Sequence, residues 1–172
     1  MDKKFDLLSL GEIMLRLSPQ SNERIAKCKM FEKHIGGAEL NVACGVSLNG
    51  LRTGVISKIP DSALGDFVRN KVRFNGVSDD YLVYDHNKDA RLGVYYYEMG
   101  AYPRKPQVVY DRAGSSINKI EMEDFDEEMF ASTRCFHTST HRVPSRARRW
   151  RFQDQTPWSR RRRSHRPAPS CS

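Results

Sequence analysis

Cysteine pairs, long apolar stretches and phosphate-loop glycines are all missing from this chain of 172 residues. Its four cysteines, at positions 28, 44, 135 and 171, form no CxxC pair and have no histidine-rich spacing beside them. They read as reduced thiols, not as a disulfide frame or a zinc site. No apolar run approaches the roughly 20 residues that a membrane-spanning helix requires. The opening segment, MDKKFDLLSLGEIML, begins as a secretory signal would, but Asp6, Gly11 and Glu12 interrupt it and no small-residue cleavage site follows. A cytoplasmic protein without a membrane partner is expected. No Gly-Lys-Ser/Thr occurs, which excludes a P-loop.

Lysine and acid are scarce in one part of the chain only. Residues 140–172 hold ten Arg, four Pro and one acid, Asp154, with no Lys, Leu, Ile or Met. The net charge is +8, yet residues 1–139 contain 19 basic and 20 acidic groups. The basic character therefore belongs to the tail, and the body is not a basic nucleic-acid-binding domain. Apolar residues fall from 59 of the first 139 positions to 7 of the last 33. So little apolar area cannot offset the entropy of ordering, and the tail is expected to be disordered. Arg148-Arg149 and Arg160–Arg163, with Trp150, Phe152 and Trp158, have the charge and stacking groups that grip single-stranded nucleic acid. The abrupt change at Ser139 points more strongly to an out-of-frame product of a GC-rich gene, and nucleic acid is not expected as a partner. His137 and His141, near this junction, have no partners for a triad or a metal site.

What is present in residues 1–139 is an alternation of strand and helix signals. Phe5–Leu10 (FDLLSL) is a buried-strand pattern closed by Gly11, and Lys29–Ile35 can hold a short strand. Gly36-Gly37 opens a helix over Ala38–Leu48, with Val42, Ala43 and Val46 as its apolar face and Asn49-Gly50 as its stop. Thr53–Ile59 is a second strand. A second helix follows Pro60-Asp61-Ser62, carries Leu64, Phe67, Val68 and Val72 at helical spacing, and ends at Asn75-Gly76. This order predicts an α/β fold with a parallel sheet. Leu92–Glu98 and Gln107–Asp111, rich in aromatic and β-branched residues, read as an antiparallel pair attached to that sheet. The acidic stretch 121–130 suits an exposed helix or its N-terminal turn, and Arg134–His137 a further strand.

The segment richest in chemistry is Gly36-Gly37-Ala38-Glu39-Leu40-Asn41-Val42-Ala43. Glycines before a helix let backbone amides approach a ligand, and the helix start favours an anion. The same pair also suits an ordinary loop before an ordinary helix, but three further segments accompany it. They are Leu8-Ser9-Leu10-Gly11-Glu12, Pro60-Asp61-Ser62-Ala63-Leu64-Gly65 and Phe74-Asn75-Gly76-Val77. In this order they resemble the ribokinase/PfkB sugar kinases. GEIMLRLSP at 11–19, GGAELNVA at 36–43 and Val109-Tyr110-Asp111-Arg112 before Ala113-Gly114-Ser115-Ser116 are most similar to 2-keto-3-deoxygluconate kinases.

The resemblance covers residues 1–139. It implies the N-terminal portion of a ribokinase-like, doubly wound α/β sheet, with small lid strands near 12–37 and 90–112. It implies a kinase that phosphorylates 2-keto-3-deoxygluconate or a related sugar acid with ATP and Mg²⁺, and a possible association of copies through the lid. Gly37, Ala38, Glu39, Leu40 and Asn41 inherit substrate binding, as do Tyr95, Tyr110 and Arg112, with Arg16 held more loosely. A guanidinium fork, phenol hydroxyls and an amide suit a ligand with one carboxylate and several hydroxyls. The catalytic aspartate of such kinases lies in a Gly-Ala-Gly-Asp stretch well past position 200, and this chain has none. Where the family continues from His137-Thr138-Ser139 into a glycine and an apolar helix, Thr140-His141-Arg142-Val143-Pro144 stands here. A truncated, inactive kinase is therefore expected. A sugar-acid-binding module without phosphorylation, or nucleic-acid binding through the tail, are the alternatives.

Overall fold

The computed structural model describes residues 3–125 and 128–139. The arginine-rich tail, with the disorder expected for it, lies outside these residues. The strands are β1 (Phe5–Leu10), β2 (Met14–Pro19), β3 (Phe31–Gly36), β4 (Thr53–Pro60), β5 (Ser78–Asp85), β6 (Gly93–Glu98), β7 (Gln107–Asp111) and β8 (Thr133–Thr138). The helices are α1 (Ala38–Leu48), α2 (Ala63–Phe74) and the single turn α3 (Glu128–Ala131). None of them is long and apolar enough to cross a membrane.

Two sheets divide the strands. The main sheet runs β5-β4-β1-β8 with every neighbouring pair parallel. Strands of a parallel sheet are buried on both faces, and β4 illustrates the consequence. Its Val55 and Ile59 enter one core with Val68 and Val72 of α2, while Ile56 enters a second core with Ile117, Ile120 and Met129. The second sheet runs β3-β2-β6-β7 and is mixed: β2 pairs antiparallel with β3 and parallel with β6, and β6 pairs antiparallel with β7. The β6–β7 pair thus has the orientation expected from sequence but belongs to a separate sheet. Leu15, Leu17, Ile35 and Val94 turn one face of this lid onto the first core.

Local chemistry accounts for the helix limits. In α2, Asp66 lies in the first turn and Lys71 and Arg73 in the last, which complements the helix dipole. After Asn75, Gly76 takes φ +69°, its N–H bonds Arg73 O at 2.9 Å, and Val77 N–H bonds Val72 O at 3.3 Å. This is a Schellman stop, and buried Val77 packs in the same core as Val72.

Three expectations need correction. Val42 and Leu64 are exposed, because α1 buries Leu40 and Ala43 and α2 buries Gly65, Val68 and Val72. At about 100° per residue, Val42 lies on the far side of the helix from Leu40. The acidic stretch 121–130 supplies a 3₁₀ turn at Met122–Asp124 and α3 rather than one helix. Finally, β5 has no counterpart in the sequence reading. Its opening acids mask its alternation, and they find cations on the surface: Asp79 pairs with Arg69 and Arg73, and Asp80 with Lys4.

Candidate functional site

Beyond Leu10 the chain leaves β1 for the lid, and β1 itself lies between β4 on one side and β8 on the other. Such a reversal of strand order opens a crevice at the carboxyl ends of the strands, where α/β sheets bind ligands. A cleft of about 380 Å³ occupies this position. Its floor is Leu10 and Gly11 of the β1 end and Thr138 and Ser139 of the β8 end; α1 begins at its side, and the lid leans over it.

Seven of the nine residues singled out in the sequence line this cleft: Gly37, Ala38, Glu39, Asn41, Tyr95, Tyr110 and Arg112. Leu40 does not. It is 2% exposed and belongs to the first core, because it follows Glu39 by one helical step and points to the sheet. Arg16 does not line the cleft either. It stands in register between His34 of β3 and Tyr95 of β6, and its Nε is buried without a hydrogen-bond partner. Tyr95 in turn faces Tyr110 in register, with ring centroids 5.9 Å apart. One row across the lid therefore carries His34, Arg16, Tyr95 and Tyr110. Burial pushes the Tyr95 phenol above its ordinary value, with the Arg16 charge pulling the other way, so it remains an O–H donor at neutral pH.

The glycines of this region make room for specific atoms. A Cβ on Gly36 would strike the Tyr95 hydroxyl, and one on Gly11 would strike the Glu39 carboxylate. A Cβ on Gly37 would lie 2.5 Å from the Glu12 carbonyl oxygen, so the approach of β3 to the β1–β2 crossing depends on its absence. Glu39 is buried and its Oε1 accepts the Ser139 N–H at 3.1 Å, which ties the start of α1 to the end of β8. The first N–H groups of α1 have no intrahelical partners and give this wall of the cleft a positive end.

Glu12 is the residue of the site to which the sequence reading attached no role. Its Oε2 accepts from Arg112 Nη2 and its Oε1 accepts from Ser115 Oγ at 2.8 Å. The signal was present: an acid interrupting an apolar run, which spoke against a signal peptide and stood in a family segment without a role of its own. Arg112 also lies over the Tyr110 ring, 5.9 Å from its centroid. The cleft thus collects one cation, two phenols, an exposed amide side chain and a helix start, with two carboxylates already committed to internal partners.

Comparison with known proteins agrees with this geometry. The model of the pfkB family of carbohydrate kinases matches residues 4–150. A 2-dehydro-3-deoxygalactonokinase of Haloferax volcanii is 38% identical over 134 residues, which are 78% of this chain and 41% of that protein. The crystal structure of a 2-dehydro-3-deoxygluconokinase from Thermotoga maritima superposes with a TM-score of 0.72 at 41% identity, covering 77% of this chain and 40% of that one. A sugar kinase of Pyrococcus horikoshii in complex with ATP shares the fold at a TM-score of 0.68 and 22% identity, over 77% of this chain and 42% of that one. The chain spans about two fifths of the length of the relatives it matches. With the family model matching residues 4–150 and a solved relative sharing the fold of this part, the chain belongs to the pfkB family of carbohydrate kinases.

Proposed function

We propose that the cleft is the sugar-acid side of an ATP-dependent kinase acting on 2-keto-3-deoxygluconate or a closely related 2-keto-3-deoxy sugar acid. The observation that carries this reading is the convergence of Arg112, Tyr95, Tyr110 and Asn41 on one cleft beside the start of α1. A carboxylate matches the guanidinium, and the helix start adds to the attraction. Sugar hydroxyls match the phenols and the amide, which donate and accept. The relatives named for 2-dehydro-3-deoxy sugar acids support the same class.

ATP and Mg²⁺ are the phosphoryl donor and metal of such a reaction. Among the described residues no group of three or more His, Cys, Asp and Glu could hold a metal ion. The residues present bind and orient the sugar acid, and the lid covers the cleft in which they do so.

Calorimetry with the 172-residue chain tests the reading. Binding of 2-keto-3-deoxygluconate, with little or no heat from a neutral hexose or a nucleoside, is the expected result. Equal binding of a neutral hexose would overturn the assignment of a carboxylate to Arg112. In a coupled assay with Mg-ATP, no turnover is expected from this chain by itself.

A further inference from the structure

We infer that Glu12 is a positioning residue that acts through Arg112, holding its guanidinium in the cleft at the joint between the main sheet and the lid. The inference rests on the sugar-acid reading for its consequence, but its geometry stands apart from any ligand. Glu12 lies on the crossing from β1 to β2, and Arg112 on the return crossing after β7. One carboxylate therefore bridges the first and the last of the four chain connections between the two sheets.

Both of its oxygens are committed. Arg112 Nη2 donates to Oε2, and Ser115 Oγ donates to Oε1 at 2.8 Å. Ser115 is itself buried, and its Oγ accepts from Asn118 Nδ2 at 3.1 Å. The chain of bonds from Asn118 through Ser115 to Glu12 anchors the carboxylate to the 3₁₀ turn at Ser116–Lys119, which packs in the second core through Ile117. Gly93 leaves the space: a Cβ there would overlap Glu12 Oε1 and lie 3.2 Å from Arg112 Cβ. A carboxylate only 11% exposed needs a partner, and Arg112 supplies the cation.

A guanidinium has five N–H donors, and Glu12 engages only Nη2, so donors are left for a ligand carboxylate. Tyr110 supports the plane of the group from one side. Fixing a long, flexible side chain before the ligand arrives removes an ordering cost from binding. With an internal donor on each oxygen and a charge that repels a ligand carboxylate, Glu12 acts on the sugar acid through Arg112.

The test uses the 172-residue chain with Glu12→Ala, Glu12→Gln, Ser115→Ala and Arg112→Ala, and Glu12→Ala combined with Arg112→Ala. Arg112 side-chain N–H signals in NMR need no ligand: they are expected to be those of a fixed guanidinium in the wild type and Glu12→Gln, and of an averaged one in Glu12→Ala. In calorimetry, Glu12→Ala is expected to weaken 2-keto-3-deoxygluconate binding by up to about tenfold, the cost of ordering one long side chain on binding. Glu12→Gln, which retains an acceptor for Arg112, should stay within about threefold, and Ser115→Ala should fall between. In the Arg112→Ala background, Glu12→Ala should add nothing. Unchanged Arg112 signals in Glu12→Ala would overturn the inference, and so would an equal further loss in the Arg112→Ala background. If Arg112→Ala binds the sugar acid as the wild type does, the functional reading falls instead, while the NMR result still decides the role of Glu12.

Discussion

Tyr95 and Tyr110 face each other across the β6–β7 pair with ring centroids 5.9 Å apart and planes inclined by 35°. The pair is asymmetric in its surroundings. Tyr95 is half-buried beside Arg16 and covers Gly36, whereas Tyr110 is 59% exposed and carries Arg112 over its ring. Two phenols of the same type thus play different parts in one cleft: Tyr95 closes its inner wall and Tyr110 supports the cation at its rim.

Arg112→Ala removes the cation proposed to meet the sugar acid. A loss of about 1.5–3 kcal/mol in 2-keto-3-deoxygluconate binding is expected, the range for hydrogen bonds to charged groups. Calorimetry beside a thermal melt of the same variant checks it. A fall in melting temperature along with the affinity would point to a folding defect, since Glu12 would then be buried without its partner.

Gly36→Ala places a methyl group against the Tyr95 hydroxyl. Overpacking of this kind is expected to cost about 1–3 kcal/mol. Tyr95→Phe in the same chain removes the colliding oxygen and should restore part of that loss, because the nearest remaining ring carbons lie at 3.1 Å. Urea denaturation of the two single variants and the double variant measures the coupling.

Leu40→Ala separates packing from binding. A core leucine cut to alanine is expected to cost about 2–5 kcal/mol of stability. The folded fraction should bind 2-keto-3-deoxygluconate as the wild type does, since Leu40 is outside the cleft lining. A specific loss of affinity without a fall in the melting temperature would return Leu40 to the site.

Asp79 sets a pH dependence. Burial pushes its carboxyl up, but hydrogen bonds from Arg73 and Arg69 outweigh this and hold it below the ordinary carboxylate range. A depressed value means that the contribution is fully present above about pH 4, the unfolded value, and is lost as pH falls through the folded one. Asp79→Asn should therefore cost on the order of 1 kcal/mol at pH 7, with the arginines partly screened by solvent. The gap between variant and wild type should narrow as the pH falls below the unfolded value and through the lower folded one. Denaturation curves at pH 7, 4 and 3 would show it, and a gap that stays constant into acid would remove Asp79 from this role.

Much of the architecture was legible in the residues. Phe5–Leu10, Ala38–Leu48 and Gln107–Asp111 have the bounds read for them, because apolar runs, glycine stops and β-branched clusters are local signals. What failed were decisions made by distant partners. Val42 looks like a core residue by composition, yet the sheet lies on the side of α1 that carries Leu40 and Ala43. The strand β5 was hidden because its acids at 79 and 80 are matched by cations at 69, 73 and 4, which no local pattern reveals.

By itself the sequence determined the alternation of strands and helices, the family motifs and the residue types a sugar acid requires. Those are properties of neighbouring residues, fixed by backbone preference and periodicity. Only the tertiary structure decided that Leu40 is core, that Arg16 stands beside Tyr95 outside the cleft lining, and that Glu12 meets Arg112. The last pair is 100 positions apart in the chain. A carboxylate and a guanidinium at such separation carry no mark of each other until the crossings from β1 to the lid and back are folded side by side. There the low exposure of Glu12 makes its pairing with Arg112 obligatory.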